Sequence, residues 1–190
     1  MTLRIIGGEF RNRLLKAPKG EKTRPTLAIL RKAVYDMLQF TIVEAKVLDL
    51  FAGSGLMGIE ALSRGAAHAC FIDKDRTAVR CIEENLKLLG VQDRAEVLLL
   101  DATAALHKFA KKKCTFDVIY IDPPYPLSQT TPILYDLLQF IDTHSLLSPQ
   151  GSLLIEETTP PTLSSDLKLT TLRWLSTRKF SDSVLHQYKH

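Results

Sequence analysis

Short apolar runs alternate with amphipathic segments along most of this chain. Runs of about four to eight apolar residues predict buried strands, and apolar residues at three- and four-residue steps predict helices. Strands that alternate with helices form a parallel, doubly wound sheet with right-handed crossovers. The predicted strands are Val47–Leu50, Ala69–Ile72, Val97–Leu100, Phe116–Ile121 and Gly151–Ile155, followed by a closing pair over Lys168–Leu175 and Val184–Tyr188.

The predicted helices have recognisable ends. Pro25 is suited to the first turn of a helix that buries one face and is expected to expose Arg31 and Lys32. Asp75 is expected to cap a helix that ends at Gly90, a residue that readily takes the left-handed conformation of a helix end. Further helices are predicted from the glycine-rich turn to about Arg64, through Leu106 to the lysines at 111–113, and from Thr131-Pro132 through Ile141.

The N-terminal part has a different composition from the rest. Leu3–Ile6 predicts a short strand and turn, whereas Arg11–Thr23 has no sustained period and is expected to be a loop that orders on a partner. We therefore predict a basic extension over residues 1–40 and a catalytic domain over residues 41–190. The predicted fold is α/β, with a doubly wound, mostly parallel seven-stranded sheet and a small basic N-terminal extension.

The positive charge of the chain is concentrated in that extension. The chain has a net charge of +4, but residues 1–32 alone carry +7, so the remainder carries −3. A polyanionic partner explains such a concentration, because each phosphate neutralised by Lys or Arg releases counterions. Charge alone fits a solvated basic leader equally well.

Other features of the composition exclude several classes of protein. No apolar run approaches the roughly 20 residues of a membrane helix, and the N-terminus lacks a secretory signal, so a cytoplasmic protein is expected. Cys70, Cys81 and Cys114 are odd in number and far apart, which predicts reduced thiols. The five histidines have no metal-ligand spacing, and no metal is expected.

The chemistry is predicted to lie at the ends of the strands. The stretch Val47–Gly58 is a buried strand that enters a glycine-rich turn and a helix N-terminus, where backbone N–H groups are free to bind a ligand. Asp73, Asp101 and Asp122 each follow a further strand, and Asp49 lies inside the first. Ligands of doubly wound sheets bind at this edge of the sheet, so the four carboxylates predict one site.

A dinucleotide is one candidate ligand. Gly53, Gly55 and Gly58 have the spacing of the dinucleotide-binding fingerprint, and Asp73 follows about twenty residues later. Asp49, however, would oppose an anionic pyrophosphate and suits a ligand with a cationic amino group. Hydride transfer also has no use for the loop Asp122-Pro123-Pro124-Tyr125. These two features count against a nicotinamide cofactor.

The combination of motifs resembles a known family. The stretch Leu48–Gly55 (LDLFAGSG), the Asp122–Tyr125 loop (DPPY) and the N-terminal pieces RIIGG and RPT resemble the bacterial 16S ribosomal RNA guanine-N2 methyltransferases, which are Class I S-adenosylmethionine-dependent enzymes with a Rossmann-like fold. Asn12, Leu27, Asp73 and Ser181 depart from the usual pattern of that family. The first and last of these departures bear on RNA contacts, and Asp73, where Glu is usual, bears on cofactor affinity.

The resemblance implies a role for each motif. It implies that the cofactor is S-adenosylmethionine, with Asp73 on the ribose hydroxyls and Asp101 with the Ala102 amide on the adenine. The loop that follows Asp49 would wrap the methionine part through Phe51, Ala52, Gly53, Ser54 and Gly55.

The Asp-Pro-Pro-Tyr loop is expected to hold the target base. Asp122 and the Pro123 carbonyl can accept the two N–H groups of an exocyclic amine, while Pro123 and Pro124 fix the backbone. Tyr125 would stack on the extruded base. The same loop also suits the amine of adenine, so an adenine-N6 methyltransferase of RNA or DNA remains an alternative. A non-catalytic RNA-binding protein with this fold is the alternative from another class.

The implied partner is 16S ribosomal RNA, either free or within a small subunit or an assembly intermediate. Phosphate contacts are expected from Arg11, Arg13, Lys16 and Arg24 of the basic extension. The protein is expected to be a monomer and to have no membrane partner.

Overall fold

The sheet is the centre of the molecule, and the helices cover both of its faces. The computed structural model describes residues 3–18, 25–124, 127–163 and 167–190. Its strands are β1 (Leu3–Arg4), β2 (Leu14–Leu15), β3 (Lys46–Leu50), β4 (His68–Asp73), β5 (Ala95–Leu99), β6 (Phe116–Ile121), β7 (Leu147–Thr158), β8 (Arg173–Phe180) and β9 (Ser183–Lys189). Its α-helices are α1 (Pro25–Met37), α2 (Leu56–Ser63), α3 (Arg76–Leu89), α4 (Ala102–Lys111) and α5 (Leu127–Thr143).

Strand order confirms the predicted fold class. The seven-stranded sheet has the order β5-β4-β3-β6-β7-β9-β8, in which β5 to β7 are parallel and β9 is antiparallel to both of its neighbours. The chain leaves the centre in one direction after β3 and returns to the other side of β3 with β6. The switch point of the sheet therefore lies between the carboxyl ends of β3 and β6, where ligands of such sheets bind.

Alternating side chains of the central strands supply two separate cores. In β4, Ala69 and Phe71 face a cluster that α1, α2 and α3 complete, whereas Cys70 and Ile72 face a cluster completed by α4 and α5. Because successive residues of a strand point to opposite faces, an almost continuous apolar run fills both cores. Because both faces of these strands are buried, their residues are almost all apolar, and a polar residue inside them is an exception.

The N-terminal residues form a hairpin that packs on the domain. Leu3 and Arg4 pair with Leu15 and Leu14, so the prediction of a loop is wrong at these two leucines. Leu3, Ile5 and Leu15 are buried in the same cluster as α1 and α2. Two paired residues are too few for a periodic signal in the sequence, and burial of Leu15 stabilises what the local sequence does not specify.

Close contacts with α2 fix this hairpin. The backbone N–H of Ile6 donates to Glu60 Oε2 at 2.9 Å, and that of Glu9 donates to the Ser63 carbonyl at 2.7 Å. A Cβ atom at Gly8 would lie 1.8 Å from the Ser63 carbonyl oxygen, so only glycine fits there. The division at residue 40 into an extension and a domain stays a prediction.

Arg31 corrects a second expectation, because its side chain is buried rather than exposed. Its exposed fraction is 4%, and its Nη2 donates to the Arg4 carbonyl at 2.8 Å. Its Nε lies 3.5 Å from Glu60 Oε2. The hairpin covers a position that an isolated helix would leave in solvent, and the sequence pattern of α1 contains no trace of that cover.

Element boundaries differ most around the last two helices and strands. Helix α5 begins at Leu127 and not at Thr131-Pro132, so Pro132 lies within it. Strand β7 extends the predicted Gly151–Ile155 at both ends, and β8 covers Arg173–Phe180 instead of Lys168–Leu175. β8 is an edge strand with mostly exposed side chains, and such a strand has little apolar alternation by which to locate it.

Within the described ranges, no helix has the length and apolar character required to cross a bilayer. The same residues contain no group of three or more His, Cys, Asp or Glu side chains arranged to hold a metal ion.

Candidate active site

The turn from β3 into α2 has an unusual backbone. Phe51, Gly53 and Gly55 have φ angles of 62°, 54° and 75°, all in the left-handed region. Glycine adopts this region freely, but a phenylalanine there is an uncommon and costly conformation that tertiary contacts must maintain. The turn brings the backbone of residues 51–55 to the edge of the sheet.

Two buried or half-buried carboxylates hold this turn in place. Asp49 Oδ2 accepts the Gly58 N–H at 2.9 Å, inside the first turn of α2. Asp73 Oδ2 accepts the Gly53 N–H at 2.8 Å, and its Oδ1 accepts the Asp75 N–H at 2.8 Å. Asp73 therefore ties the end of β4 to the glycine turn. A carboxylate has about four acceptor positions, so each carboxylate keeps capacity for a ligand.

Asp49 is in an energetically unfavourable position for a charge. Its side chain is buried, and burial raises its pKa to about 7, although the hydrogen bond from Gly58 acts in the opposite direction. A bound cation beside Asp49 would favour the ionised form.

The third carboxylate, Asp101, caps a helix. Its Oδ1 accepts the Thr103 N–H at 2.9 Å at the start of α4. Asp101, Ala102 and Thr103 line a depression of about 600 Å³, which they share with Pro123, Pro124 and the exposed Ile133. The cap explains the position of Asp101 without a ligand, but its exposed carboxylate also faces the cavity.

Asp122 and the two prolines follow β6 directly across the switch point. The Asp122 N–H lies 3.5 Å from the Leu50 carbonyl oxygen, which keeps this loop beside the end of β3. Pro123 is buried and Pro124 is exposed. Tyr125, which was predicted to stack on the base, lies outside the described residues.

The predicted site residues line one continuous cleft. A cavity with about 590 Å³ of empty space, part of it open to solvent, is lined by Asp49, Phe51 and Asp122. A second, with about 1080 Å³ that also includes open solvent, is lined by Asp73, Phe51 and Asp122. The depression at Asp101 shares Phe51 with both. The structure thus brings together, along one edge of the sheet, Asp49, Phe51, Ala52, Gly53, Ser54, Asp73, Asp101, Ala102, Asp122, Pro123 and Pro124, while Gly55 caps α2 beneath them.

Three buried polar residues that line the cleft were not predicted as site residues. Arg31, Tyr120 and Glu156 line the 590 Å³ cavity, and each is almost completely buried. Tyr120 Oη donates to Glu156 Oε2 at 2.6 Å. Glu156 directly follows the predicted strand Gly151–Ile155, as Asp122 follows Phe116–Ile121, and this position in the sequence could have revealed it. Arg31 and Tyr120 carry no comparable signal, because one lies on a helix and the other is a common strand residue.

The basic residues lie apart from the carboxylates. Arg11, Arg13 and Lys16 are exposed on the N-terminal segment, and Arg24 lies outside the described residues. Lys16 Nζ lies 2.7 Å from Glu84 Oε2, which raises the pKa of Lys16, and Arg13 Nη2 donates to the Leu88 carbonyl at 3.3 Å. Pro18, at the end of this segment, lines the large cavity beside Asp73.

Asn85 of α3 connects the basic segment with the glycine turn. Its Oδ1 accepts the Lys16 N–H at 2.8 Å, and its Nδ2 donates to the carbonyls of Lys16 and Ser54 at 3.0 and 3.1 Å. This fully buried amide therefore fixes the position of the basic segment relative to the cleft.

Comparison with known proteins assigns this architecture. The family described as "Conserved hypothetical protein 95" matches residues 3–189. The chain belongs to this family. The resemblance to bacterial 16S ribosomal RNA guanine-N2 methyltransferases, predicted from the motifs, is thereby confirmed at the level of the family.

Two curated relatives and one solved structure are similar to this family member over most of their own length. "Putative rRNA methyltransferase YlbH" of Bacillus subtilis is 39% identical over 88% of this chain and 91% of its own. "Ribosomal RNA small subunit methyltransferase D" of Escherichia coli is 38% identical over 70% of this chain and 67% of its own. The solved structure of "Putative methyltransferase yhhF" from Escherichia coli matches with a TM-score of 0.80, at 26% identity, over 100% of this chain and 98% of that one.

Proposed function

We propose that this protein transfers a methyl group from S-adenosylmethionine to the exocyclic N2 amine of a guanine in 16S ribosomal RNA. The observation that carries the proposal is the position of Asp122 and Pro123, which line the same cleft as the glycine turn from the other side of the switch point. Membership of a family of S-adenosylmethionine-dependent methyltransferases supports the reaction class.

The residues of the cleft fit S-adenosylmethionine better than a dinucleotide. The cleft wall carries Asp49, Asp73 and Asp101, and carboxylates oppose a pyrophosphate but accept hydrogen bonds from an ammonium group or ribose hydroxyls. Asp49 would hold the amino group, Asp73 the ribose, and Asp101 with the Ala102 amide the adenine. When bound, S-adenosylmethionine supplies a methyl group on a positively charged sulfur.

The chain itself supplies position and a proton acceptor. A guanine amine is a weak nucleophile because its lone pair is delocalised into the ring. Asp122 and the Pro123 carbonyl would accept its two N–H groups, which favours a pyramidal nitrogen with its lone pair directed at the donor. The nitrogen becomes acidic only after methylation, so Asp122 can take the proton without being a strong base.

The N-terminal segment supports RNA as the substrate. Its exposed arginines and lysine lie on a hairpin that is packed on the domain, and the segment reaches the cleft at Pro18. Phosphate contacts there would provide affinity, whereas the cleft would select the base.

Product analysis tests this function. The protein is incubated with a radiolabelled methyl donor and with 16S rRNA, either free, in an assembly intermediate or in the small subunit, and the RNA is digested for mass spectrometry. We expect N2-methylguanosine at one position. N6-methyladenosine would establish the adenine alternative, and cofactor binding without methylation of any of these substrates would establish a non-catalytic RNA-binding protein.

A further inference from the structure

Glu156 lies beside Asp122 at the carboxyl edge of the sheet. Strands β6 and β7 are parallel neighbours in which Ile121 pairs with Ile155, so Asp122 and Glu156 occupy the next position of each strand. Both residues line the 590 Å³ cavity. Neighbouring strands are about 4.8 Å apart, and the cleft therefore has two adjacent carboxylates where the proposed target base enters.

Within the part of the chain that the structure describes, the hydrogen-bond donors to Glu156 are neutral hydroxyl groups. Tyr120 Oη donates to Glu156 Oε2 at 2.6 Å, and the Ser183 hydroxyl also forms a hydrogen bond with the carboxylate. Among the described residues, no lysine or arginine forms an ion pair with Glu156. Burial raises its pKa, and the two hydroxyls only partly compensate. A further N–H donor in the cavity would favour the ionised carboxylate.

The adjacent Glu157 is a buried glutamate that does not line the cleft, and it serves as a comparison. Glu157 Oε2 lies 2.9 Å from His186 Nε2, and Glu157 also accepts hydrogen bonds from Thr162 and Leu163. These partners lower the pKa of Glu157 despite burial. Glu157 is absent from the lining of the 590 Å³ cavity. Its contacts are those of a structural residue, whereas Glu156 keeps acceptor capacity toward the cleft.

Guanine and adenine differ beside the amine in a way that two carboxylates can distinguish. Guanine has the N1–H donor next to its amine, so two neighbouring donor groups face the protein. Adenine has a lone pair at N1 next to its amine, and a carboxylate would oppose it. A site with buried polar groups that pair with one substrate rejects an analogue that leaves those groups unpaired.

We infer that Glu156 accepts the N1–H of the target guanine while Asp122 accepts its amine, so that Glu156 selects guanine over adenine. This inference rests on the proposed function. Tyr120 is then a positioning residue, because its hydroxyl fixes one oxygen of Glu156 and its own pKa is raised well above the usual value by burial, which keeps the donor protonated.

The contact between Glu156 and the N1–H of guanine is tested by substituting Glu156 and, independently, by replacing the target base. The target RNA carries either guanine or 2-aminopurine, which keeps the N2 amine and lacks N1–H, at the methylated position. For the wild type, we expect kcat/KM to fall about 100-fold or more with 2-aminopurine. For Glu156→Gln, we expect lower activity on guanine and a guanine preference reduced at least about tenfold, since effects of the missing 6-oxygen cancel in the ratio.

Glu157→Gln is the matched control, because it makes the same change one residue away in a buried carboxylate outside the cavity. It is expected to lower the melting temperature and to leave the ratio between guanine and 2-aminopurine unchanged. Should Glu156→Gln fail to fold, Glu156→Asp gives the same readout, because it retracts the carboxylate by one methylene and keeps its charge.

Two results would overturn the inference. One is an unchanged base preference in Glu156→Gln or Glu156→Asp. The other is weaker binding of S-adenosylhomocysteine that accounts for the whole loss of activity, which would assign Glu156 to the cofactor. A wild type that forms no N2-methylguanosine would instead refute the proposed function itself, so the two failures are distinguishable.

Discussion

The two loops that meet at the switch point are held in place by different means. The glycine turn after β3 is fixed by side chains distant in sequence, since Asp73 accepts the Gly53 N–H and Asn85 donates to the Ser54 carbonyl. The loop after β6 touches β3 through the Asp122 N–H, 3.5 Å from the Leu50 carbonyl oxygen, and the rings of Pro123 and Pro124 restrict its backbone locally. The cofactor side of the cleft therefore depends on tertiary hydrogen bonds, and the base side depends on local stiffness.

This difference predicts how each loop responds to substitution. A change on the base side should remove a chemical group without altering the rest of the cleft. A change among the residues that hold the glycine turn should affect stability and cofactor affinity together, because the same atoms serve both.

The largest effect is expected on the base side. We expect Asp122→Ala to reduce methyl transfer by at least about 100-fold, because it removes the acceptor that positions the amine and takes its proton. Binding of S-adenosylhomocysteine, measured by calorimetry, should stay within about twofold. Asp136→Ala, at an exposed carboxylate of α5, is the control. Full activity of Asp122→Ala would refute the mechanism.

The charge of Asp49 should make stability depend on pH. Its folded pKa of about 7 lies above the ordinary value of 3.8, so the stability that the protonated group contributes is complete below about pH 4 and is lost as the pH rises through 7. Asn keeps an oxygen that can accept the Gly58 N–H and cannot ionise. In the wild type, this loss lowers the free energy of unfolding by an amount on the order of 1 to 4 kcal/mol. We expect Asp49→Asn to abolish it.

Denaturant unfolding of the wild type and of Asp49→Asn at pH 5 and pH 8 measures this difference. The stability of the variant relative to the wild type should be greater at pH 8 than at pH 5, because most of the wild-type loss falls between these two values. The variant should also bind S-adenosylhomocysteine more weakly. Parallel pH profiles of the two proteins would show that Asp49 does not titrate in this range.

Gly58 tests the packing below the glycine turn. A Cβ atom at this position would lie 2.3 Å from Cε1 of the buried Phe71 ring. We expect Gly58→Ala to destabilise the fold by about 1 to 3 kcal/mol, because the added methyl group would force the buried ring to shift. Gly90→Ala is the comparison, since nothing lies within 4 Å of its Cβ position and only the φ of +72° opposes the change. An unchanged stability of Gly58→Ala would rule out the clash with Phe71.

Asp73 tests the tertiary tie itself. In the wild type, one oxygen of Asp73 accepts the Gly53 N–H and the other accepts the Asp75 N–H. Asp73→Asn replaces one of these oxygens by an NH₂ group, which cannot accept a hydrogen bond, so one of the two bonds is lost. We expect the affinity for S-adenosylhomocysteine to fall about tenfold, the effect of one charge-assisted hydrogen bond. Asp136→Asn, at the exposed carboxylate of α5 that lies outside the cleft, serves as control. Unaltered affinity in Asp73→Asn would remove Asp73 from the proposed cofactor site.

The smallest effect is expected outside both loops. We expect the double variant Arg13→Ala with Lys16→Ala to bind RNA several-fold more weakly at low salt and to have a slope of log affinity against log salt reduced by about 1 to 2. Lys112→Ala, in the basic cluster after α4, should leave the slope unchanged. A slope that stays the same in the double variant would exclude phosphate contacts by these two residues.

The sequence was most informative where periodicity and local chemistry agree. The buried run Phe116–Ile121 is reproduced residue for residue as β6, and Asp75 and Gly90 are found at the two ends of α3 as predicted. The acids at the strand ends could be predicted to meet, because parallel strands bring their carboxyl ends to one edge. The sequence was least informative in β2 and β8, which are short or exposed and lack a repeating pattern.

What the sequence determined by itself is the set of elements, their parallel arrangement and the group of acids at one edge, because these follow from the spacing of apolar residues and from strand polarity. What only the tertiary structure decided is which polar groups become buried together. Arg31 is covered by a hairpin from elsewhere in the chain, and Glu156 comes beside Asp122 only when β7 pairs with β6. Burial is a property of the assembled layers, so a pattern along the chain cannot specify which carboxylate faces a cleft and which, like Glu157, is paired away from it.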